Sequence, residues 1–60
     1  MNFVLTIFLE NKKTGKYEKI LEKKSYSISA CAQLSDMILS SANTKENNIY
    51  FIIKAEEQRN

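Results

Sequence analysis

The chain has 60 residues, is 43% hydrophobic, carries a formal net charge of +2, and contains one cysteine and no histidine. A single cysteine excludes an internal disulfide, and without histidine or a second thiol the chain lacks the ordinary ligand set of a zinc site. A chain this short buries only about 60% of the surface that its unfolded form exposes. We therefore expect one domain over residues 1–60 that gains stability by associating with another chain.

The first apolar run, Phe3 to Leu9, predicts a β-strand. Hydrophobic side chains occur at odd and at even positions of this run, which is typical of a central strand that is buried on both faces. The run is too short to span a membrane, and no basic segment precedes it as in a signal peptide. Together with the lone cysteine, this favours a cytoplasmic protein with no membrane partner.

A hairpin turn is predicted at Asn11 to Lys16, where Gly15, the only glycine, is free to adopt positive φ. A second strand follows, from about Lys16 to Lys24. Residues 10–24 hold six lysines and three glutamates, whereas residues 25–60 hold three bases and four acids. Lysines on an exposed edge strand discourage pairing with stray chains, so we expect the second strand at the edge of the sheet.

A helix is predicted over residues 28–43, with Ser27 or Ser29 as its N-cap. At 100° per residue, one arc is expected to pack on the sheet, namely Ile28, Cys31, Ser35, Ile38, Leu39 and Ala42. A second arc of small and flexible apolar groups consists of Leu34, Ala30, Ser41 and Met37. Ser29, Gln33, Asp36, Ser40 and Asn43 form a polar stripe.

The second arc has two explanations. The helix either sits deeply in the concave face of the sheet, or it contacts a second copy or another protein. A helix that is apolar beyond one stripe on so short a chain favours the contact, in which small residues allow close approach and Met37 adapts to its partner.

A last strand is predicted at Ile49 to Ala55, followed by a frayed tail over residues 56–60. The fold class is therefore α+β, with ββαβ order and a three-stranded antiparallel sheet carrying one helix. The first and third strands are expected to supply the core side chains of the sheet.

Residues suited to catalysis are scarce. No histidine can act as a base near neutral pH, and the carboxylates show no paired-acid spacing. Cys31 falls on the core arc, which indicates a packed and inert thiol. The segment Thr14 to Lys16 lacks the glycine spacing of a phosphate loop. We expect a protein that is not an enzyme and that needs no cofactor or metal.

The lysines of residues 12–24, together with Tyr17 and Tyr26, form a possible nucleic-acid patch. Glu10, Glu18 and Glu22 are interleaved with these lysines and weaken their field. A solvated edge strand is therefore favoured, and nucleic acid is not the expected partner.

The arrangement as a whole resembles the small uracil-DNA glycosylase inhibitors of phages related to the Bacillus phage phi-twenty-nine. The resemblance covers nearly the whole chain. It lies in the strand with Thr6, the turn with Gly15 and Lys16, the serines at 27–29 that open the helix, the exit at Asn43 and Thr44, and the ββαβ order.

This resemblance implies a homodimeric DNA mimic in the cytoplasm of an infected bacterium. Two helices side by side would form an apolar pocket that captures the leucine with which the glycosylase probes DNA, while carboxylates replace phosphates. Matching from the Asn43-Thr44 exit places the family's aspartate at Asp36, its phenylalanine at Met37, its glutamate at Ile38 and its tyrosine at Ser41. The basic hairpin is then expected to point away from the enzyme.

On this basis the expected partner-binding residues are Gln33, Leu34, Asp36, Met37, Ile38, Ser40 and Ser41. The expected dimer contacts are Ala30, Leu34, Met37 and Ser41. Two other functions stay open: a nucleic-acid-binding protein that uses the lysine-rich hairpin, and a dimeric module that binds a different host protein.

Overall fold

A computed structural model describes residues 2–56, in the order β1 (Phe3–Asn11), β2 (Tyr17–Tyr26), α1 (Ile28–Ser41) and β3 (Asn47–Ala55). The strands form one antiparallel sheet in the order β2-β1-β3. This confirms the α+β prediction, the ββαβ order, the central position of β1 and the edge position of β2. Within the described part of the chain, no helix is long and apolar enough to cross a membrane.

The core lies between one face of the sheet and the helix. Leu5 and Ile7 of β1 and Cys31 of α1 are fully buried. The side chains packed around them are Phe3, Leu21, Tyr26, Leu34, Ile38, Ile49 and Phe51. All three strands thus contribute to the core, because hydrophobic residues that pair directly across antiparallel strands project to the same face.

The prediction that β1 is buried on both faces is wrong. The even-numbered residues Val4, Thr6 and Phe8 are only half-buried, because the single helix covers the opposite face. Their partners on β3, Ile52 and Tyr50, are exposed. We call this side of the sheet the open face.

The hairpin turn forms as predicted. The carbonyl of Asn11 accepts a hydrogen bond from the amide of Gly15 at 2.7 Å, and Gly15 adopts φ 72°. The Asn11 side chain accepts two more, from the amides of Lys13 (2.9 Å) and Thr14 (3.1 Å). An asparagine that bonds the following backbone amides in this way stabilises a tight turn.

Strand β2 is irregular, whereas β3 is not. The register of β2 against β1 shifts between Phe3 and Leu5 and again between Ile7 and Phe8. The extra residues on β2 fall at Ser25, which has φ 63°, and at Ile20. Bulges and charged side chains both protect an edge strand from pairing with other chains. β3 pairs with β1 in one unbroken register, so it has no bulge, and Lys54 is its one charged residue.

Helix α1 is capped by Ser27, whose hydroxyl oxygen accepts a hydrogen bond from the amide of Ala30 at 3.1 Å. The helix ends at Ser41, two residues before the predicted end. Asn43 shapes the connection to β3, since its side-chain oxygen accepts from the amides of Lys45 and Glu46. Of the predicted tail, Glu56 donates its amide to the carbonyl of Asn2 at 2.8 Å, and residues 57–60 lie outside the described part.

Candidate partner-binding surface

The helix turns a different arc toward the sheet than the sequence predicted. Ile28 and Leu39, assigned to the core arc, are 54% and 49% exposed, while Leu34, assigned to the second arc, packs against the core. The buried side therefore centres between Cys31 and Ile38. Small residues occur around most of the helix, so hydrophobicity alone did not define the centre of the arc.

Two apolar flanks border the polar stripe on the outer side of the helix. The first flank consists of Ala30, Met37 and Ser41, and the second consists of Ile28, Ala32 and Leu39. Met37 has 67% of its surface in solvent, more than Ile28 or Leu39. Apolar side chains left in solvent on both borders of a polar stripe are typical of a helix that contacts another surface.

Asp36 is the only charged residue of the helix, and it lies exposed in the polar stripe. It is one turn from Leu39 and Ala32, so it is closer to the second flank than to Met37. The helix thus combines exposed apolar groups with one uncompensated negative charge. Sequence reasoning missed the second flank because the predicted core arc included two of its three members.

The predicted site residues divide into two groups. Gln33, Asp36, Met37, Ser40 and Ser41 are exposed together on the outer side of the helix. Leu34 and Ile38 lie half-buried against the core, and Ala30 is also half-buried. A partner that approaches the helix from solvent meets the first group directly and only the outer parts of the second.

The serine hydroxyls of this surface are hydrogen-bonded within the helix. Ser40 donates to the carbonyl of Asp36 at 2.9 Å, and Ser41 donates to the carbonyl of Met37 at 3.1 Å. Serines that bond back by one turn direct their donors at the helix backbone instead of outward. The outer surface is therefore less polar than its serine content indicates.

The basic turn lies close to the end of this helix. Lys12 donates its backbone amide to the carbonyl of Glu46 and its ammonium group to the carbonyl of Thr44, both at 2.9 Å. The hairpin therefore borders the connection after the helix, at the end that holds Ser41. The expectation that the hairpin points away from the enzyme stays a prediction.

The open face carries a second group of exposed side chains. The rings of Tyr17 and Tyr50 lean over β1 and approach each other, with centroids 5.8 Å apart and planes tilted by 41°. Below them, Glu10 accepts hydrogen bonds from the Tyr50 hydroxyl at 2.8 Å and from the Asn48 amide at 3.2 Å. The hydrogen bond from Tyr50, followed by that from Asn48, holds the pKa of Glu10 below its ordinary value. The same bond to the carboxylate raises the pKa of Tyr50 to about 12.

One ion pair also lies on this face. The Lys19 ammonium group is 2.9 Å from the carboxylate of Glu22, and its hydrogen bond and charge lower the pKa of that carboxylate. Both side chains are exposed to solvent, where such pairs contribute little to stability. The pair neutralises part of the lysine charge of β2, as expected from the alternation of the two residue types.

The structure separates the two tyrosines of the predicted nucleic-acid patch. Tyr17 is 62% exposed, but Tyr26 packs against the core cluster. The prediction that Tyr26 offers a ring for stacking is therefore wrong. The ring that pairs with Tyr17 is instead that of Tyr50, 33 residues further along the chain. The strand order β2-β1-β3 brings the two rings together.

Cys31 is fully buried, which confirms its predicted place in the core. Within residues 2–56, no three side chains of the aspartate, glutamate or cysteine type are grouped so that they could hold a metal ion. The candidate surfaces are thus the outer side of the helix and the open face of the sheet.

No known protein family, no curated protein and no solved structure matches this chain.

Proposed function

We propose that the protein inhibits uracil-DNA glycosylase by occupying its DNA-binding groove, as a homodimer in the cytoplasm of an infected bacterium. The observation that carries the proposal is the exposure of Met37 on a helix whose only charge is Asp36. A base-flipping enzyme exposes a basic groove and inserts an apolar side chain into the DNA stack. An apolar helix surface beside a carboxylate is complementary to both features.

In the proposed dimer, the first flank of each helix lies along the same flank of its partner. Ala30 and Ser41 are small enough for close approach of two helices, and Met37 has the flexibility to line a pocket of irregular shape. Leu34 and Ile38 support this flank from the core side. The apolar pocket between the helices would then receive the leucine of the enzyme, with the two Asp36 carboxylates in place of phosphates.

The test is uracil excision from a labelled oligonucleotide by a bacterial uracil-DNA glycosylase, with and without a stoichiometric amount of the protein. We expect excision to stop and excess DNA not to restore it quickly. Met37→Asp places a charge in the proposed pocket and should weaken inhibition by roughly 100-fold, or about 2.7 kcal/mol. Unchanged excision with the wild-type protein would contradict the proposal and favour a module that binds another host protein.

A matched control is Ile20→Asp, which makes the same kind of substitution at an exposed bulge of β2. This variant should inhibit as well as the wild type. Leu39→Asp distinguishes the two flanks, because it changes the flank closer to Asp36. Strong inhibition by Leu39→Asp would place the pocket on the Met37 side. Circular dichroism of all three variants verifies that each is folded.

A further inference from the structure

We infer that the open face of the sheet is a binding site for single-stranded nucleic acid, which stacks bases on Tyr17, Tyr50 and Phe8 and places phosphates along Lys19 and Lys54. This inference is separate from glycosylase inhibition, since it concerns the face of the sheet opposite the helix. It differs from the hairpin patch considered for the sequence because its aromatic pair joins β2 to β3.

The rings form a platform with space above it. A hollow of about 420 Å³ is lined by Phe8, Tyr17, Tyr50, Phe51 and Ile52. Tyr17 and Tyr50 are 62% and 42% exposed, so their faces are available to a flat ligand. Aromatic side chains on an exposed sheet face are a common platform for the bases of single strands, because every base has a π-face.

Lysines border this platform on the same face. An adjoining hollow of about 340 Å³ shares Phe8 and Ile52 with the first and is also lined by Lys19 and Lys54. Lys19 is paired with Glu22, whereas Lys54 forms no ion pair with any other residue between 2 and 56. A strand whose bases lie over the rings would bring its phosphates within reach of these ammonium groups.

The wider charge distribution favours the same occupant. Between Ile28 and Ser41 the helix carries no base and one acid, so the lysines of residues 2–56 lie on the sheet, in its hairpin turn or in the connection after the helix. Lys12, Lys13 and Lys16 belong to the turn next to Tyr17. An anionic polymer is therefore attracted to the sheet side of the molecule, and the apolar centre of the open face is complementary to bases and not to phosphates.

Glu10 determines on which side of the rings the phosphates can lie. It holds the Tyr50 hydroxyl and the Asn48 amide with one oxygen, which orients the Tyr50 ring. Its negative charge disfavours a phosphate directly beside the Tyr50 hydroxyl, so the backbone of the strand is expected to run along Lys19 and Lys54. A duplex hides its base faces in its own stack and cannot use the rings, so the site should prefer single strands.

The test is fluorescence anisotropy with a labelled single-stranded DNA of about 12 nucleotides, a length within the usual site sizes of such proteins. The competitor is a duplex of the same sequence. We expect the single strand to bind at least tenfold more tightly than the duplex, with affinity that falls as salt rises. Absence of binding at low salt, or equal binding of the duplex, would overturn the inference.

Two pairs of variants locate the site. Tyr17→Ala should weaken binding by roughly tenfold, and Tyr17→Phe should retain it, because stacking needs the ring and not the hydroxyl. Lys54→Glu should weaken binding and lower the salt dependence. Lys23→Glu makes the same charge change beside Leu5, on the helix side of the sheet, and should have the smaller effect. Equal effects of Lys54→Glu and Lys23→Glu would indicate non-specific attraction and overturn the inference.

Two further measurements separate this site from its alternatives. Met37→Asp should bind the single strand like the wild type even where it loses glycosylase inhibition, so the two proposals can fail independently. Sedimentation of the free protein tests whether a second copy covers the open face. If Ile52→Asp dissociates an oligomer that Met37→Asp leaves intact, the open face is a contact between copies and the inference is wrong.

Discussion

At the residue scale, the hydrogen bond between Tyr50 and Glu10 ties two strands together on the open face. The two residues are 40 positions apart in the chain and meet at 2.8 Å. A hydrogen bond to an ionised acceptor is stronger than one between neutral groups. Because the bond requires a protonated phenol and an ionised carboxylate, the contact between these two strands depends on pH.

The sign of this linkage follows from the two pKa shifts. The pKa of Tyr50 rises to about 12. The contribution of the protonated phenol to folding stability is therefore complete below the ordinary pKa of 10.0 and is lost as pH rises through about 12. The pKa of Glu10 falls below the ordinary 4.5, so its contribution is present above that value and is lost as pH falls through the lowered pKa. The bond is intact throughout the neutral range.

Glu10→Gln is expected to lower the pH at which Tyr50 ionises, because the carboxylate that holds its phenol proton is removed. The measurement is the ultraviolet absorbance of tyrosinate as a function of pH, with circular dichroism to follow folding. Tyr50→Phe should remove the ionisation at about pH 12 altogether. A titration curve of Glu10→Gln that superimposes on the wild-type curve would show that the bond is absent in solution.

At the element scale, the hairpin and β2 contain two residues with positive φ that differ in how well they suit it. Gly15, with φ 72°, tolerates the left-handed region without strain, and a Cβ there would meet no atom within 4 Å. Ser25, with φ 63°, occupies the same region at the bulge and has a Cβ. The left-handed conformation costs a residue with a Cβ roughly 1–2 kcal/mol.

Exchanging the residue types at these positions should therefore have opposite effects. Gly15→Ala is expected to destabilise the fold by about 1 kcal/mol through backbone strain alone, since there is space for its methyl group. Ser25→Gly is expected to stabilise the fold by up to about 1 kcal/mol, less the loss of the Ser25 hydrogen bond to Glu56. Urea unfolding of both variants measures the changes, and changes of the same sign would contradict this explanation.

At the scale of the whole molecule, the protomer has little core for its size. Between residues 2 and 56, only Leu5, Ile7 and Cys31 are fully buried, while exposed hydrophobic side chains occur on the helix and on the sheet. The outer edge of β3, a strand without bulges, also presents a row of backbone groups with which another strand could pair. Domains with so small a core usually gain stability from association, metals or disulfides, and a chain with one cysteine has no internal disulfide.

We expect the protein to be a dimer in solution and its thermal midpoint to rise with protein concentration, because mass action couples folding to association. Analytical ultracentrifugation over a range of concentrations measures both the stoichiometry and the dissociation constant. Met37→Asp should shift the equilibrium toward monomer, and Ile20→Asp should not. A wild-type protein that stays monomeric and folded at all concentrations would contradict the dimer and, with it, the pocket between two helices.

The sequence by itself determined the features that depend on neighbouring residues. Short apolar runs predicted β1 and β3, and Gly15 with Asn11 predicted the turn. Ser27 or Ser29 was predicted as the helix cap, and the structure shows that it is Ser27. The lysines of β2 predicted an edge strand, because the charges of such a strand must stay in water. These signals are local, and the structure adds to them only the two bulges and changes of one or two residues at the ends of elements.

Only the tertiary structure decided how the elements face one another. The helix has small residues around most of its surface, so its rotation depends on the sheet, which buries Leu34 and leaves Ile28 and Leu39 in solvent. The open face exists because one helix cannot cover both sides of a sheet. Tyr17 and Tyr50 meet above Glu10 because β1 lies between β2 and β3. Contacts between residues so distant in the chain are set by packing, which no local pattern of residues specifies.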